Sequence, residues 1–278
     1  MEKNEHEMGF FDHIDVLRGH LFRSAIGTFI ITIICLIKSQ WIFENLIFGP
    51  MKGSFPTYQL LCKLTNYIRP ILCKYSPLLC PEEGLCFGDL NIKLMNTELF
   101  GQFITQIKIS IVIGLIFSFP YIIYEIWKFV KPALSETESK KSTRIVGFSS
   151  FFFFLGIFFS YYLIVPFSLN FAAHYLISDQ IQNMFTLDNY IGFLTMMLLG
   201  CGIVFELPMI VYFLAKAGFL TAAFMRSYRR HATVVILILA AAITPSPDMF
   251  TMMIVAVPIY FLYEISILVA ARAYPKGN

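Results

Sequence analysis

The sequence predicts an all-α integral membrane protein with six transmembrane helices and both termini in the cytoplasm. Three observations carry that expectation. The 278 residues are 57% hydrophobic and 17% aromatic but only 14% charged, whereas a soluble domain carries about 25% charged and about 45–50% apolar residues. The mean hydropathy is +0.69, an apolar excess too large for a core to hide. The 21 basic and 18 acidic residues fall in clusters between long uncharged stretches, the pattern a bilayer imposes. Together these set aside a soluble enzyme, a coiled coil, a disordered chain and a nucleic-acid binder. The net charge of +3 says little beside them.

A hydrocarbon core about 30 Å thick needs roughly 20 helical residues, fewer where the membrane thins. A single membrane domain over residues 1–278 follows, preceded by no cleavable leader, because the chain opens on the acidic EKNEHE rather than on a basic region. Residues 1–20 read as a cytoplasmic interfacial helix. The first span is placed at 21–43, where Lys38 is near enough to an end to snorkel. An external loop follows at 44–102. The second span is 103–126, uncharged between Lys108 and Glu125 and carrying Pro120 near its end. A cytoplasmic loop at 127–144 leads to the third span, 145–169, and an external loop at 170–188 to the fourth, 189–215, with Glu206 inside it. After a cytoplasmic loop at 216–230, the fifth span is squeezed into 231–247 between Arg230 and Asp248, with Pro245 and Pro247 at its end. At about 1.5 Å per residue it reaches only about 25 Å. The sixth, 250–271, contains Glu264 and is also read as short.

Orientation follows from the Lys and Arg residues. Lys3, Arg18 and Arg23 precede or open the first span; Lys128, Lys131, Lys140, Lys141 and Arg144 crowd one loop. Lys216, Arg226, Arg229 and Arg230 sit in another, and Arg272 and Lys276 close the chain. The opposite side carries few, spread thinly over the long first loop. Four of the six cysteines (Cys62, Cys73, Cys80 and Cys86) lie in that external loop. In an oxidising compartment they read as possible disulfides with three pairings open; a metal site has neither a CxxC pair nor a histidine there. No metal or cofactor site is expected anywhere.

Three segments could carry function. In FFDHIDVLRGHL, Phe10, Ile14, Leu17 and Leu21 recur at helical spacing with Asp12, Asp15 and Arg18 opposite, an amphipathic interfacial helix that turns into the first span. Asp15 and Arg18 either pair at i,i+3 as an anchor or are free to bind something else. His6, His13 and His20 share a stripe but are about 10 Å apart along the axis, too far to share a metal. In PYIIYEIWKFVKPALSETESKKS, Trp127 and Phe129 suit an aromatic belt and SETE suits a capping box. The exposed acids Glu136 and Glu138 beside aromatic surface equally suit a cationic peptide with a hydrophobic tail, and periodicity does not choose between the two. Glu206, in GCGIVFELPMIVY, lies close to mid-bilayer, where an ionised carboxylate costs at least about 2.5–3.5 kcal/mol. It must be protonated, paired or facing a wet cavity, and Pro208 beside it kinks the helix. The short PYIIY and PMIVY matches hint that Pro120 and Pro208 bend two helices alike. No HExxH, GxSxG, P-loop or GxGxxG motif occurs, so no enzymatic machinery is visible.

Several segments in order resemble one family, the TatC subunit of the twin-arginine protein translocase. They are HIDVLRGHL near the N-terminus, FGP at 48–50, FPYIIYEIWKFVKPALSETE, FELP in the fourth span, the TPSPDMF turn and VPIYFLYEI in the last span. The resemblance covers nearly the whole chain. It implies six helices in a concave, glove-like arrangement in the bacterial cytoplasmic (inner) membrane. This would be a receptor for signal peptides with consecutive arginines, working with TatA- and TatB-type single-span subunits, self-associating, and driven by the proton-motive force. By position, Glu138 would be the principal carboxylate for the arginine pair, with Phe129, Pro132 and Leu134 shaping its loop and Arg18 on the N-terminal helix beside it. Glu206 would be the polar residue of the concave face. Pro50, Pro120, Pro208, Thr244, Pro245, Asp248 and Phe250 would shape helix ends and external caps.

Two departures stand out. The family's HLxELR has a glutamate where this chain has Val16, and the preceding acid is Asp15. Adjacent helix positions differ by about 100°, so either a rotated helix brings Asp15 to the task or Glu138 acts with Glu136 or Asp12. The other departure is the enlarged, cysteine-bearing first external loop. Two arginines need carboxylates at the cytoplasmic rim, where bidentate bonds favour arginine over lysine. Short fifth and sixth spans would thin the bilayer locally for a passing folded protein. The alternative class is a proton-coupled small-solute transporter using Glu206, which leaves the cytoplasmic loop without a purpose. A structural scaffold would need no intramembrane acid at all.

Overall fold

The computed structural model describes residues 10–75, 92–130, 142–178, 180, 183–244 and 249–273. The long apolar stretches wind as helices because only then does each segment pair its own backbone N–H and C=O groups away from water. In chain order they are α1 (Phe10–Ile37), α2 (Pro56–Tyr75), α3 (Gly101–Val130), α4 (Ser142–Phe159), α5 (Val165–His174), α6 (Leu187–Val204), α7 (Leu207–Lys216), α8 (Ala222–Ser227), α9 (Arg229–Ile243) and α10 (Met249–Ala273). Two short strands, β1 (Leu94–Met95) and β2 (Phe185–Thr186), pair in parallel with Leu94 opposite Phe185. Among the described residues, five helical stretches are long and apolar enough to cross a membrane: Ile14–Ile37, Gly101–Phe129, Ile145–His174, Leu187–Lys216 and Thr251–Ala273.

Several expected boundaries move. The N-terminal segment does not turn near residue 21; Phe10–Ile37 is one unbroken helix of 28 residues. It contains no proline, and glycine in a helix interior costs only about 1 kcal/mol relative to alanine. Asp15 and Arg18 are both exposed, and no ion pair joins them among the described residues. Hydration outweighs a pair of this kind on an open helix face. The fifth helix is short, as expected, at 15 residues, roughly 22 Å. The sixth is not: α10 has 25 residues and runs through Pro258 without a break. Pro120 and Pro208 also differ from each other. Pro120 sits inside continuous α3, whereas Pro208 opens α7 after a turn at Phe205 and Glu206.

The chain divides into two compact units, Met1–Lys38 with Ile107–Phe152, and Ser39–Gln106 with Phe153–Asn278. In the first, α1 lies against α3 at backbone distance. A Cβ on Gly114 would come within 2.2 Å of Thr32 Oγ1 and 3.0 Å of Thr32 Cα, and one on Gly27 within 2.8 Å of the Tyr121 ring. Small residues at such crossings let two helices gain dispersion contacts where the lipid offers no hydrophobic drive. The hydroxyls of Thr28 and Ser118 meet there at 2.9 Å.

The second unit contains most of the buried core, with Ile164, Val165, Ile191, Leu194, Met197 and Val255 fully enclosed. After one α-helical turn over Ser39–Ile42 its first stretch winds irregularly, as a π-turn over Phe43–Ile47 and a 3-10 turn over Gly49–Met51. Irregular winding leaves carbonyls without helical partners, and tyrosine hydroxyls supply them. Tyr161 donates to the Leu46 carbonyl at 2.7 Å, Tyr190 to that of Ile47, and Tyr58 to those of Pro50 and Pro166 at 3.0 and 3.2 Å. Burial pushes the Tyr58 phenol well up from its usual range, so it stays a donor. Pro166 has no N–H for the Tyr162 carbonyl one turn back, and Thr57 Oγ1 donates to that oxygen instead. Pro50 thus stands in a cap closed by Tyr58. On α2, Cys62 is disulfide-bonded, while Cys35 and Cys201 are free and buried. The side chain of Cys73, with Cys80 and Cys86, lies outside the described residues.

Candidate functional site

Two places bring polar groups into apolar surroundings. The first is the N-terminal part of α1 with the end of α3, both in the first unit. Asp15, Val16 and Arg18 are exposed along α1. One turn past Val16, His20 Nδ1 lies 2.6 Å from Glu125 Oε2, and the two side chains are only 12% and 6% exposed. Nδ1–H donates to the carboxylate, a short, charge-assisted contact. Tyr121 and Lys128 of α3 flank the same carboxylate. The Phe129 ring stands 6.4 Å from the His20 ring, and Trp127 is buried beside them in sequence. Glu138, Pro132 and Leu134 lie outside the described residues, as do Pro245 and Asp248; Phe250 belongs to α10, but its side chain is likewise outside them.

The second place is Glu206, buried at 9% exposure. The helix stops at Val204 and restarts at Leu207. Pro208 cannot donate to the Val204 carbonyl, and its ring disfavours a continuous helix. The backbone recovers through the acid's own carbonyl, which accepts from Met209 at 2.9 Å and Ile210 at 3.0 Å. Glu264 of α10 also has a partner. Arg229 Nη2 reaches its Oε2 at 2.7 Å. Thr244 caps α9, its hydroxyl donating to the Ala240 carbonyl at 3.0 Å.

Sequence reading passed over Glu125 as a mere span boundary and His20 as one of a spaced row. A signal was present, an acid inside an apolar stretch. Its partner lies 105 positions away, beyond the reach of periodicity.

The family model for the Sec-independent protein translocase protein (TatC) matches residues 12–258. The chain belongs to the TatC family. A TatC from Blattabacterium sp. subsp. Periplaneta americana is 37% identical over 97% of this chain and 97% of its own length. One from Desulforapulum autotrophicum is 31% identical over 99% of this chain and 88% of its own. A crystal structure of a twin-arginine translocase receptor, TatC, superposes with a TM-score of 0.69 at 27% identity, covering 94% of this chain and 99% of that one. With its apolar helices, membership in the TatC family makes this a multi-pass protein of the bacterial inner membrane and a protein-transport component. TatC family members serve in a Tat complex with other subunits.

Proposed function

We propose that this protein is the subunit of its translocase that binds consecutive-arginine signal peptides at the cytoplasmic face. With TatA- and TatB-type partners, it supports export of folded precursors driven by the proton-motive force. What supports the reading is the likeness, over nearly all of both chains, to a structure described as a twin-arginine translocase receptor. The FPYIIYEIWKFVKPALSETE signature adds to it. In this reading Glu138 takes one guanidinium in a bidentate contact and Asp15 serves in place of the acid missing at Val16. Phe129, Pro132 and Leu134 shape the loop, and Arg18 lies along α1 beside Asp15.

Equilibrium binding of a labelled Arg-Arg signal peptide to the purified protein in detergent tests this, with a Lys-Lys twin as control. Wild type is expected to prefer Arg-Arg. Glu138→Ala is expected to lose about tenfold or more in affinity, as removing a charged hydrogen-bond partner does, and Asp15→Ala to lose less. Equal binding of the two peptides by wild type would refute the proposal.

A further inference from the structure

We propose that His20 and Glu125 are positioning residues for arginine-pair recognition, their buried contact setting the rotation of the N-terminal part of α1 against the end of α3. The inference rests on the receptor reading above. Three observations carry it. The contact is short, 2.6 Å, and enclosed on both sides. It joins the two chain segments whose acids that reading uses. Asp15 stands five residues before His20, about 7–8 Å along the axis, and Glu138 thirteen residues after Glu125. Finally, Asp15 is exposed on α1 and presents its carboxylate to one side of the helix only, so it serves at a particular rotation of α1.

Apolar packing is sparse along this continuous helix, so few contacts set its rotation. The close approaches at Gly27 and Gly114 and the Thr28–Ser118 contact lie further along α1 and α3. Toward the N-terminus Ile14, Val16 and Leu21 are 45%, 43% and 52% exposed, so few apolar contacts pin the helix. A buried imidazole–carboxylate contact is directional where apolar packing is not, and the Phe129 ring beside His20 limits where the imidazole can sit.

The chemistry of the ligand makes the consequence specific. A guanidinium needs two parallel N–H···O bonds to a carboxylate at a set angle and spacing, whereas an ammonium is a point charge that tolerates displacement. Loosening α1 therefore costs arginine recognition more than it costs lysine binding or binding of the apolar segment. A purely structural role would weaken all of them together.

The test is binding of Arg-Arg and Lys-Lys signal peptides to the full-length protein in detergent, comparing wild type with Glu125→Gln, His20→Gln and the exchanged pair His20→Glu with Glu125→His. Each single variant is expected to bind Arg-Arg about tenfold more weakly while Lys-Lys affinity stays within about twofold, so that the preference collapses. The exchange is expected to restore much of it. An unchanged preference in the single variants overturns the positioning role, as does an equal loss for both peptides that the exchange does not rescue. Wild type that fails to distinguish the peptides overturns the receptor reading instead. Should Glu125→Gln not accumulate, His20→Leu, which leaves the carboxylate without its donor, carries the comparison alone.

Discussion

Glu125 and Glu206 are the same residue type at nearly the same burial, 4% and 9% exposed, and the fold treats them in opposite ways. At Glu125 the helix is continuous and the carboxylate meets a histidine from another helix. At Glu206 the helix itself gives way two residues before Pro208, and the residue sits in the turn. Glu264 forms a third case, about a third exposed and paired with Arg229. An acid in an apolar span thus announces only that something must be arranged around it. The residues around it, rather than the acid itself, decide the local structure.

The largest expected effect separates the first case from the others. Glu125→Ala leaves the enclosed His20 without its acceptor, and a buried donor left unsatisfied costs about 1–3 kcal/mol, to which the cavity left by the lost side chain adds. Reversible denaturation in mixed micelles is expected to show that loss. A cost below about 1 kcal/mol would mean that the contact contributes nothing to the α1–α3 junction.

Next comes the backbone approach that brings the pair together. Gly114→Leu drives four carbons into Thr32, and overpacking of this kind costs about 1–3 kcal/mol. Because α1 has to move away, the same variant is expected to weaken the His20–Glu125 contact. In a double-mutant cycle with Glu125→Ala the two losses should therefore not add. Strict additivity would mean that the glycine crossing and the His20–Glu125 contact are independent.

The smallest effect belongs to the exposed pair. Glu264→Gln is expected to change stability by no more than about 1 kcal/mol and to lose even that at high salt, measured in the same micelles. A loss as large as that of Glu125→Ala would erase the distinction between enclosed and exposed carboxylates drawn above.

Much of the architecture was readable in advance because a bilayer leaves the chain few choices. Uncharged stretches had to be helical, and the tight space between Arg230 and Asp248 had to give a short helix, which α9 is. The sixth span, placed at 250–271, lies within two residues of α10 at each end, and only its description as short fails, since the helix runs from Met249 to Ala273. The expected bend before the first span also failed. Amphipathicity describes which face meets water, and it does not by itself break a helix that has no proline.

The candidate site was legible only where a motif is contiguous. The loop signature and Glu206 each sit within one stretch of sequence, and both could be singled out there. His20 and Glu125 could not, since neither has a local pattern and their relation exists only once α1 and α3 cross. The tyrosine cap has the same character: Tyr58, Tyr161 and Tyr190 lie far apart in the chain and converge on carbonyls of residues 46–50.

What the sequence determined by itself was the solvent of each segment and hence its helical form, because hydropathy and charge act through composition over about 20 residues at a time. It also carried the family, since contiguous motifs keep their order. Tertiary structure alone decided how each polar group inside those helices is satisfied. That depends on distances between residues remote in sequence, and hydrogen bonds and ion pairs are short-ranged and directional. A contact of 2.6 Å between residues 20 and 125 is therefore a property of the fold.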